Sequence, residues 1–241
     1  ELLAQIYHDS LPRVFLAFQE GDFGYLVMSY IPGFTLREYV EKRAPICLRE
    51  HEAFRIILPI LDALAYLHDL NPPVFHRDIK PDNIRITPEG QAYLVDFGTA
   101  KFRVTDRTAT HAKAFSRGFS PYEQYQQDGR TDARSDLYAV GATLYYMFTG
   151  SVPVEAVARV PQDKLAPLRM VASSISPAVE TMVMRLMPAM AARATRCAPT
   201  VTRMDTRTRA RRTAVAAATA TAQSCRVPEF RNPSTGWPAV T

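Results

Sequence analysis

Two short runs of side chains in this sequence could together carry out phosphoryl transfer. Residues 76–83 read His-Arg-Asp-Ile-Lys-Pro-Asp-Asn, and the tripeptide Asp-Phe-Gly follows at residues 96–98. Transfer of a phosphoryl group needs a carboxylate beside the attacking hydroxyl, positive charge near the phosphates and oxygen ligands for Mg²⁺. The two runs supply groups of all three kinds.

The chemistry of each group suggests its role. Asp78 would accept or orient the proton of a substrate hydroxyl, and Lys80 would reach the transferred phosphoryl as a mobile point charge. Asn83 offers an amide oxygen to one metal ion, and Asp96 offers a carboxylate that bridges the metal ions. Gly98 lets the backbone turn where a Cβ would obstruct it.

Each of these residues also has an ordinary structural explanation when it is taken alone. An isolated Asp is usually a surface residue or a helix cap, an isolated Asn forms a turn, and an isolated His is a core or surface residue. The complete run of 76–83 with an Asp-Phe-Gly at this spacing favours the chemical interpretation.

The elements that must position these groups alternate between strands and helices. The apolar pattern predicts strands at 13–18 and 25–30, helices at 35–43 and 49–70, a hairpin of 84–87 with 92–95, a buried helix at 136–148 and a last helix from 177 to about 187. The hairpin should bring Asn83 and Asp96 together. The helix at 49–70 is predicted to bury one face, namely Phe54, Ile57, Leu58, Leu61, Leu64, Ala65 and Leu67.

Composition changes sharply near residue 188. Residues 188–241 hold nine of the 29 basic residues and only two of the 24 acidic ones, in a context of Ala, Thr and Pro. Such a segment buries too little apolar surface to offset the entropy of ordering, so we predict a disordered basic tail after a domain at 1–187. The three distant cysteines and the lack of a signal-like or membrane-spanning run predict a cytoplasmic protein.

Residues 1 to about 187 resemble the eukaryotic-type serine/threonine protein kinases, and their motif sequences are similar to those of the bacterial members. Lys80, two residues after Asp78, favours the Ser/Thr over the Tyr kinases. The resemblance implies an α+β, kinase-like fold with the last strands of the N-lobe at 1–30 and a mainly helical C-lobe at 31–187. It also implies ATP and Mg²⁺ (or Mn²⁺) as cofactors and a protein substrate.

The same resemblance assigns supporting roles to residues around the two runs. His76 would help to build the regulatory spine, and Arg77 would contact a phosphorylated activation segment that begins at Asp96 with Phe97 and Gly98. Asp136 matches the buried helix Asp that anchors the catalytic loop.

The activation segment would end at Glu123, within a Pro-Tyr-Glu that stands where the family has Ala-Pro-Glu. Ser116 would take the place of the Thr that contacts Asp78 and Lys80. Candidate phosphorylation sites in the segment, where a phosphate could pair with Arg77, are Thr99, Thr105, Thr108, Thr110 and Ser116.

The nucleotide would lie against residues further upstream. Met28 matches the gatekeeper, the backbones of Ser29 and Ile31 would bind the adenine edge, and Thr35 stands where the family often contacts the ribose. Arg85 replaces an aliphatic residue beneath the adenine. The aliphatic stem of Arg85 could lie along the adenine with the guanidinium pointing outward, or the side chain could hinder adenine binding.

The sequence departs from the family at both ends. It shows no Gly-rich loop and no lysine before Lys42, and the ion-pairing Glu of the family would fall before Glu1. We therefore expect a fragment with little or no activity on its own. Arg193 and Arg196 do not match the family's wording, so Glu123 has no assigned partner, and residues 188–241 resemble a gene read out of frame.

Three functions remain in competition at this point. The first is a Ser/Thr protein kinase, and the second is a catalytically dead kinase-like scaffold or binding module. The third, binding of nucleic acid or an acidic membrane by the Arg-rich tail, is disfavoured because the tail has few aromatic residues. The incomplete N-lobe also predicts an exposed sheet edge that a partner would cover.

Overall fold

Short strands and two long helices form the architecture, in a computed structural model that describes residues 6–21, 23–44, 47–96, 115–126, 129 and 131–189. The strands are β1 (Val14–Glu20), β2 (Phe23–Met28), β3 (Phe34–Thr35), β4 (Ile84–Ile86) and β5 (Ala92–Leu94). The helices are α1 (Leu36–Glu41), α2 (Glu50–Asp69), α3 (Tyr122–Tyr125), α4 (Ala133–Thr149), α5 (Leu168–Val171) and α6 (Pro177–Leu186), with 3₁₀ turns at Pro81–Asn83 and Ala156–Arg159. The predicted α+β class is confirmed.

Strands β1 and β2 form an antiparallel hairpin, with Val14 opposite Met28 and Glu20 opposite Phe23. Within the described residues this hairpin has no third strand. Much of its apolar surface faces solvent, through the side chains of Phe15, Leu16, Phe18, Tyr25 and Val27. The predicted exposed edge of this sheet therefore comes with an exposed apolar surface.

A second antiparallel sheet has the order β3–β4–β5 and lies next to α1. The hairpin between β4 and β5 closes where the N–H of Thr87 donates to the carbonyl of Gln91 at 2.9 Å. Gly33 enters β3 with φ +103°, and a Cβ at this position would collide with the carbonyl of Ile86. Glycine is therefore required where the chain passes from β2 into this sheet.

The long helix α2 buries a slightly different face from the predicted one. Its buried side chains are Ala53, Ile56, Ile57, Ile60, Ala63, Leu64 and Leu67. Phe54, Leu58, Leu61 and Ala65, which were predicted to be in the core, are only half-buried. Apolar residues cover more than half of the circumference of α2. Their spacing in the sequence therefore predicted the apolar side of the helix but not which of its residues lie at the centre of the buried face.

Helix α4 is buried around its whole circumference, as predicted. Asp132 caps it by accepting the N–H of Arg134 at 2.8 Å, and Gly150 ends it with φ +68°. Gly141 lies against α6, because a Cβ there would come within 2.7 Å of Leu186 Cβ. The two helices therefore approach too closely for any larger residue.

Helix α6 begins at Pro177, and the hydroxyl of Ser176 accepts the N–H of Val179. This start and the end at Leu186 confirm the predicted helix. None of the helices within the described ranges has the length and apolarity needed to cross a bilayer.

Candidate active site

The loop of residues 76–83 is anchored by one fully buried carboxylate in α4. Asp136 is 0% exposed, and its Oδ1 accepts the N–H of Arg77 at 2.7 Å. Its Oδ2 accepts the N–H of His76 at 3.0 Å and Nε2–H of His68 at 2.8 Å. Arg77 has φ +67°, a left-handed conformation that non-glycine residues adopt only when their surroundings impose it. The contacts of Asp136 provide that constraint.

His76 joins this loop to the strand that leads to Asp96. Its Nε2 donates to the carbonyl of Val95 at 3.0 Å, so the ring carries its proton on that nitrogen. Burial lowers the pKa of the His76 imidazole, while the nearby carboxylate of Asp136 raises it less strongly. The side chain is therefore a neutral, buried link between the two motifs.

Asp78 and Lys80 meet Ser116, which comes from a distant part of the sequence. The hydroxyl of Ser116 donates to Asp78 Oδ1 at 2.7 Å. Lys80 Nζ donates to Asp78 Oδ2 and to Ser116 Oγ, both at 3.0 Å. All three side chains are half-buried, so the carboxylate is oriented but still reachable from solvent.

Asn83 is buried, and its amide has a defined orientation. Its Nδ2 donates to the carbonyl of Asp78 at 2.8 Å and to Asp78 Oδ2 at 3.0 Å. The amide oxygen Oδ1 is thereby directed away from Asp78. Since the N–H of Val95 donates to the carbonyl of Asn83 at 2.9 Å, the hairpin brings Asn83 next to the segment that carries Asp96.

Asp96 and Asn83 together suit a hard divalent cation. Asp96 is exposed and has φ +59°, a further left-handed non-glycine residue in this region. One carboxylate and one amide oxygen match the preference of Mg²⁺, which takes few protein ligands and completes its octahedron with water and phosphate oxygens. No cluster of three or more His, Cys, Asp or Glu side chains that could hold a metal occurs among the described residues. Phe97 and Gly98 lie outside them.

The segment predicted to bind the adenine edge follows β2. Met28 ends that strand half-buried. The N–H of Ser29 donates to the carbonyl of Arg13 at 2.8 Å, and its hydroxyl accepts the N–H of Arg13 at 2.9 Å. Ser29 can therefore offer a base only its carbonyl oxygen as an unused main-chain group. Ile31 is half-buried two residues further on.

Thr35 and Arg85 face each other across the β3–β4 pair. The Thr35 hydroxyl accepts the N–H of Glu38 at 3.1 Å, and the Glu38 carboxylate accepts the N–H of Thr35 at 2.8 Å, so Thr35 caps α1. Arg85 Nη2 donates to the carbonyl of Gly33. The guanidinium of Arg85 therefore contacts the segment that follows β2.

Past Ser116, the chain is tied to the loop of 76–83 and to α4. Gln124 Nε2 donates to the carbonyl of Arg77 at 2.9 Å, and Ser135 Oγ donates to Glu123 Oε1 at 2.7 Å. The other carboxylate oxygen of Glu123 is buried and has no hydrogen-bond partner among the described residues. Arg193, Arg196 and the candidate phosphorylation sites Thr99, Thr105, Thr108 and Thr110 lie outside the described residues.

Several residues that shape this site were not predicted from the sequence. Arg37 in α1 makes a bidentate ion pair with Asp82, and His68 in α2 contacts Asp136. Gln124, one residue after the predicted end of the activation segment, contacts the carbonyl of Arg77. Asp82 lies inside the run of 76–83 and is recognisable there as an acidic residue. Its partner Arg37 is 45 residues away, and no local sequence pattern identifies it.

Comparison with known proteins agrees with this geometry. A family model described as "Protein kinase domain" matches residues 1–215. The serine/threonine-protein kinase PrkC of Bacillus subtilis is 34% identical over 150 residues, which cover 61% of this chain and 22% of PrkC. The serine/threonine-protein kinase PknL of Mycobacterium tuberculosis is 34% identical over 152 residues, which cover 63% of this chain and 37% of PknL. The chain thus spans well under half the length of these relatives.

Solved structures show the same fold. The apo form of PpkA-294 superposes with a TM-score of 0.64 at 29% identity, over 78% of this chain and 66% of that one. The PknI kinase domain of Mycobacterium tuberculosis gives a TM-score of 0.62 at 22% identity, over 78% of this chain and 67% of that one.

Proposed function

The chain belongs to the protein kinase domain family, and from this premise we propose that it forms the catalytic core of a serine/threonine protein kinase. The named relatives PrkC and PknL are serine/threonine-protein kinases, so the chain is a kinase by family. The reaction we propose is transfer of the ATP γ-phosphate to Ser or Thr hydroxyls of a protein. The observation that carries this proposal is the contact of Asp78 with Lys80, Asn83 and Ser116.

Asp78 is the group that would orient and deprotonate the substrate hydroxyl. Donors from Lys80, Asn83 and Ser116 surround its two oxygens, which fixes the direction of the carboxylate. A substrate hydroxyl would displace the Ser116 hydroxyl or share Oδ1 with it. Lys80 would then stabilise negative charge on the transferred phosphoryl, because its ammonium is already held beside Asp78.

Mg²⁺ or Mn²⁺ would be held by Asn83 Oδ1 and the carboxylate of Asp96, together with phosphate oxygens of ATP. The bound ion supplies charge neutralisation on the phosphates. For the base we propose the carbonyl of Ser29 and the backbone of Ile31, with Met28 behind it and Thr35 near the ribose. Arg85 would border this pocket through its contact with Gly33.

The proposal also covers the domain organisation, the cellular location and the supporting residues of the chain. We propose a kinase domain at 1–187, with 188–241 as a separate basic tail, acting in the cytoplasm on a protein substrate. His76, Arg77, Glu123 and Asp136 would support the loop and the activation segment. Nucleic acid is not among the partners we propose.

A kinase-like binding module is the second candidate. The specific observation in its favour is the exposed apolar surface of the β1–β2 hairpin, where Phe15 is 57% exposed and Leu16 is 52% exposed. Large exposed apolar patches commonly mark interaction surfaces. A scaffold, however, has no use for the aligned donors around Asp78.

Nucleotide binding and phosphotransfer should be measured separately on the 241-residue chain. Calorimetry should detect MgATP binding that is lost in Asp96→Asn, and any transfer to a Ser/Thr-rich protein should vanish in Asp78→Asn while nucleotide binding persists. We expect weak transfer at most from the chain alone. Absence of metal-dependent nucleotide binding would reject the kinase proposal and favour the binding module.

A further inference from the structure

Lys80 stands between two aspartates in the sequence, two residues after Asp78 and two residues before Asp82. Both carboxylates are close enough in the chain to compete for its ammonium group. The structure divides the charges between two cations. Lys80 contacts Asp78 at 3.0 Å, whereas Asp82 is held by Arg37.

The pair between Arg37 and Asp82 is bidentate. Nε of Arg37 donates to Asp82 Oδ1 at 2.7 Å, and Nη2 donates to Asp82 Oδ2 at 2.9 Å. A guanidinium presents two parallel N–H groups that match a carboxylate, whereas an ammonium is a point charge that a rotating stem can carry to either acid. Arg37 is therefore the stronger competitor for Asp82.

The surroundings of Arg37 fix its direction. Its guanidinium carbon lies 5.3 Å from the ring centroid of Tyr146, which is 2% exposed in α4. Nη1 is 3.9 Å from Glu41, one turn further along α1. Arg37 thus bridges α1, the 3₁₀ turn Pro81–Asn83 and the central helix. This arrangement limits the conformational entropy lost in keeping the ion pair.

Electrostatics support the idea of competition. The pKa of the Asp82 carboxyl is lowered mainly by its hydrogen bonds from Arg37 and, more weakly, by the charge of Lys80. Lys80 therefore lies within electrostatic reach of Asp82 even though its hydrogen bonds go to Asp78 and Ser116.

We propose that Arg37 is a positioning residue, which occupies Asp82 and so leaves Lys80 paired with Asp78 at the reacting face. The inference rests on the proposed function for the role of Lys80, but the arrangement itself does not depend on nucleotide. Without Arg37, the half-exposed Asp82 carboxylate attracts the Lys80 ammonium. Asp78 then loses one of the donors that orient it.

The position of the Lys80 ammonium can be read by NMR of the ¹⁵N-lysine-labelled chain without nucleotide. The chain has five lysines, Lys42, Lys80, Lys101, Lys113 and Lys164, so the side-chain NH₃⁺ signals are few. We expect a Lys80 signal that is shifted and slowly exchanging, unlike that of exposed Lys164. In Arg37→Gln it should move most of the way toward Lys164, and in the double variant Arg37→Gln with Asp82→Asn it should return.

Arg43→Gln is the matched control. It breaks a similar half-exposed pair, since Arg43 Nη2 lies 2.7 Å from Glu52 Oε1, and it should leave the Lys80 signal unmoved. Asp82→Asn alone should also leave the signal in place. A shift in that single variant, an unmoved signal in Arg37→Gln or no return in the double variant overturns the proposal.

The outcome separates this inference from the proposed function. If the Lys80 signal moves in Arg37→Gln and returns in the double variant, but no metal-dependent nucleotide binding is found, Arg37 positions Lys80 in a protein that does not act as a kinase. If nucleotide binding and an Asp78-dependent transfer are found but the Lys80 signal does not move in Arg37→Gln, the proposed function is supported and the positioning role of Arg37 is rejected. In a transferring chain, Arg37→Gln should lower kcat more than it raises the KM for ATP.

Discussion

The loop of 76–83 and the β1–β2 hairpin are stabilised in opposite ways. The loop is irregular, yet buried polar contacts determine it, since Asp136 holds two of its main-chain N–H groups and His76 ties it to Val95. The hairpin is regular, yet much of its apolar surface is exposed. In this protein a regular backbone therefore does not imply burial, whereas the irregular loop is held by buried polar partners.

Removal of the Asp136 carboxylate should have the largest effect, because it acts on the best-supported part of the loop. In Asp136→Ala the buried N–H groups of His76 and Arg77 lose their acceptor. We expect a loss of about 2–6 kcal/mol in the free energy of unfolding, at about 1–3 kcal/mol for each of the two unsatisfied donors. Urea denaturation measures it.

Asp62→Ala is the control for this variant. Asp62 also pairs with a histidine, His8 at 3.2 Å, but its side chain is 74% exposed. We expect a change of less than about 1 kcal/mol. Equal losses in the two variants would show that burial of the Asp136 carboxylate does not matter for the loop.

A methyl group added to a glycine should distinguish the helical core from the hairpin. In Gly141→Ala the new Cβ meets Leu186 and Met187 at 2.7 and 2.8 Å, so α4 and α6 must move apart. We expect a loss of about 1–3 kcal/mol in unfolding free energy. Gly24→Ala in β2 has no atom within 4 Å of its Cβ and should change stability by less than about 0.5 kcal/mol. Thermal denaturation of both variants compares the two regions directly.

Acid should weaken the loop region through His76. Burial lowers the pKa of His76 below its ordinary value of 6.5. Once the pH falls below 6.5, the imidazole is therefore protonated in the unfolded chain but stays neutral in the folded chain. Stability should therefore fall with decreasing pH below about 6.5, at up to about 1.4 kcal/mol per pH unit.

Unfolding curves at pH 7.5 and 5.5 test this pH dependence. His76→Gln keeps a donor for the Val95 carbonyl and should flatten the dependence. His51→Gln, at an exposed position, should leave it unchanged. A dependence that survives in His76→Gln would assign it to another group.

Polar substitution in the hairpin should have the smallest effect on stability. Phe15→Ser removes a side chain that is 57% exposed, so little buried area is lost and unfolding free energy should change by less than about 0.5 kcal/mol. Self-association at high concentration should decrease, as read by sedimentation velocity. An unchanged sedimentation profile would mean that this surface does not drive association.

Much of the fold could be predicted because its signals are local. The capping residues Thr35 and Ser176, the turn before Gln91 and the apolar length of α4 each act within a few residues, and the structure has helices and strands where they predict them. The centre of the α2 face could not be predicted, because the choice among its many apolar residues depends on which neighbours pack against them.

The candidate site divides in the same manner. The groups that could perform chemistry, Asp78, Lys80, Asn83 and Asp96, are recognisable in the sequence by their type and spacing. The donors that contact each carboxylate became known from the folded chain: Ser116 on Asp78, Arg37 on Asp82 and His68 on Asp136. These partners are 38 to 68 residues apart in the chain, and hydrogen bonds and ion pairs depend on distance in space, which folding alone establishes.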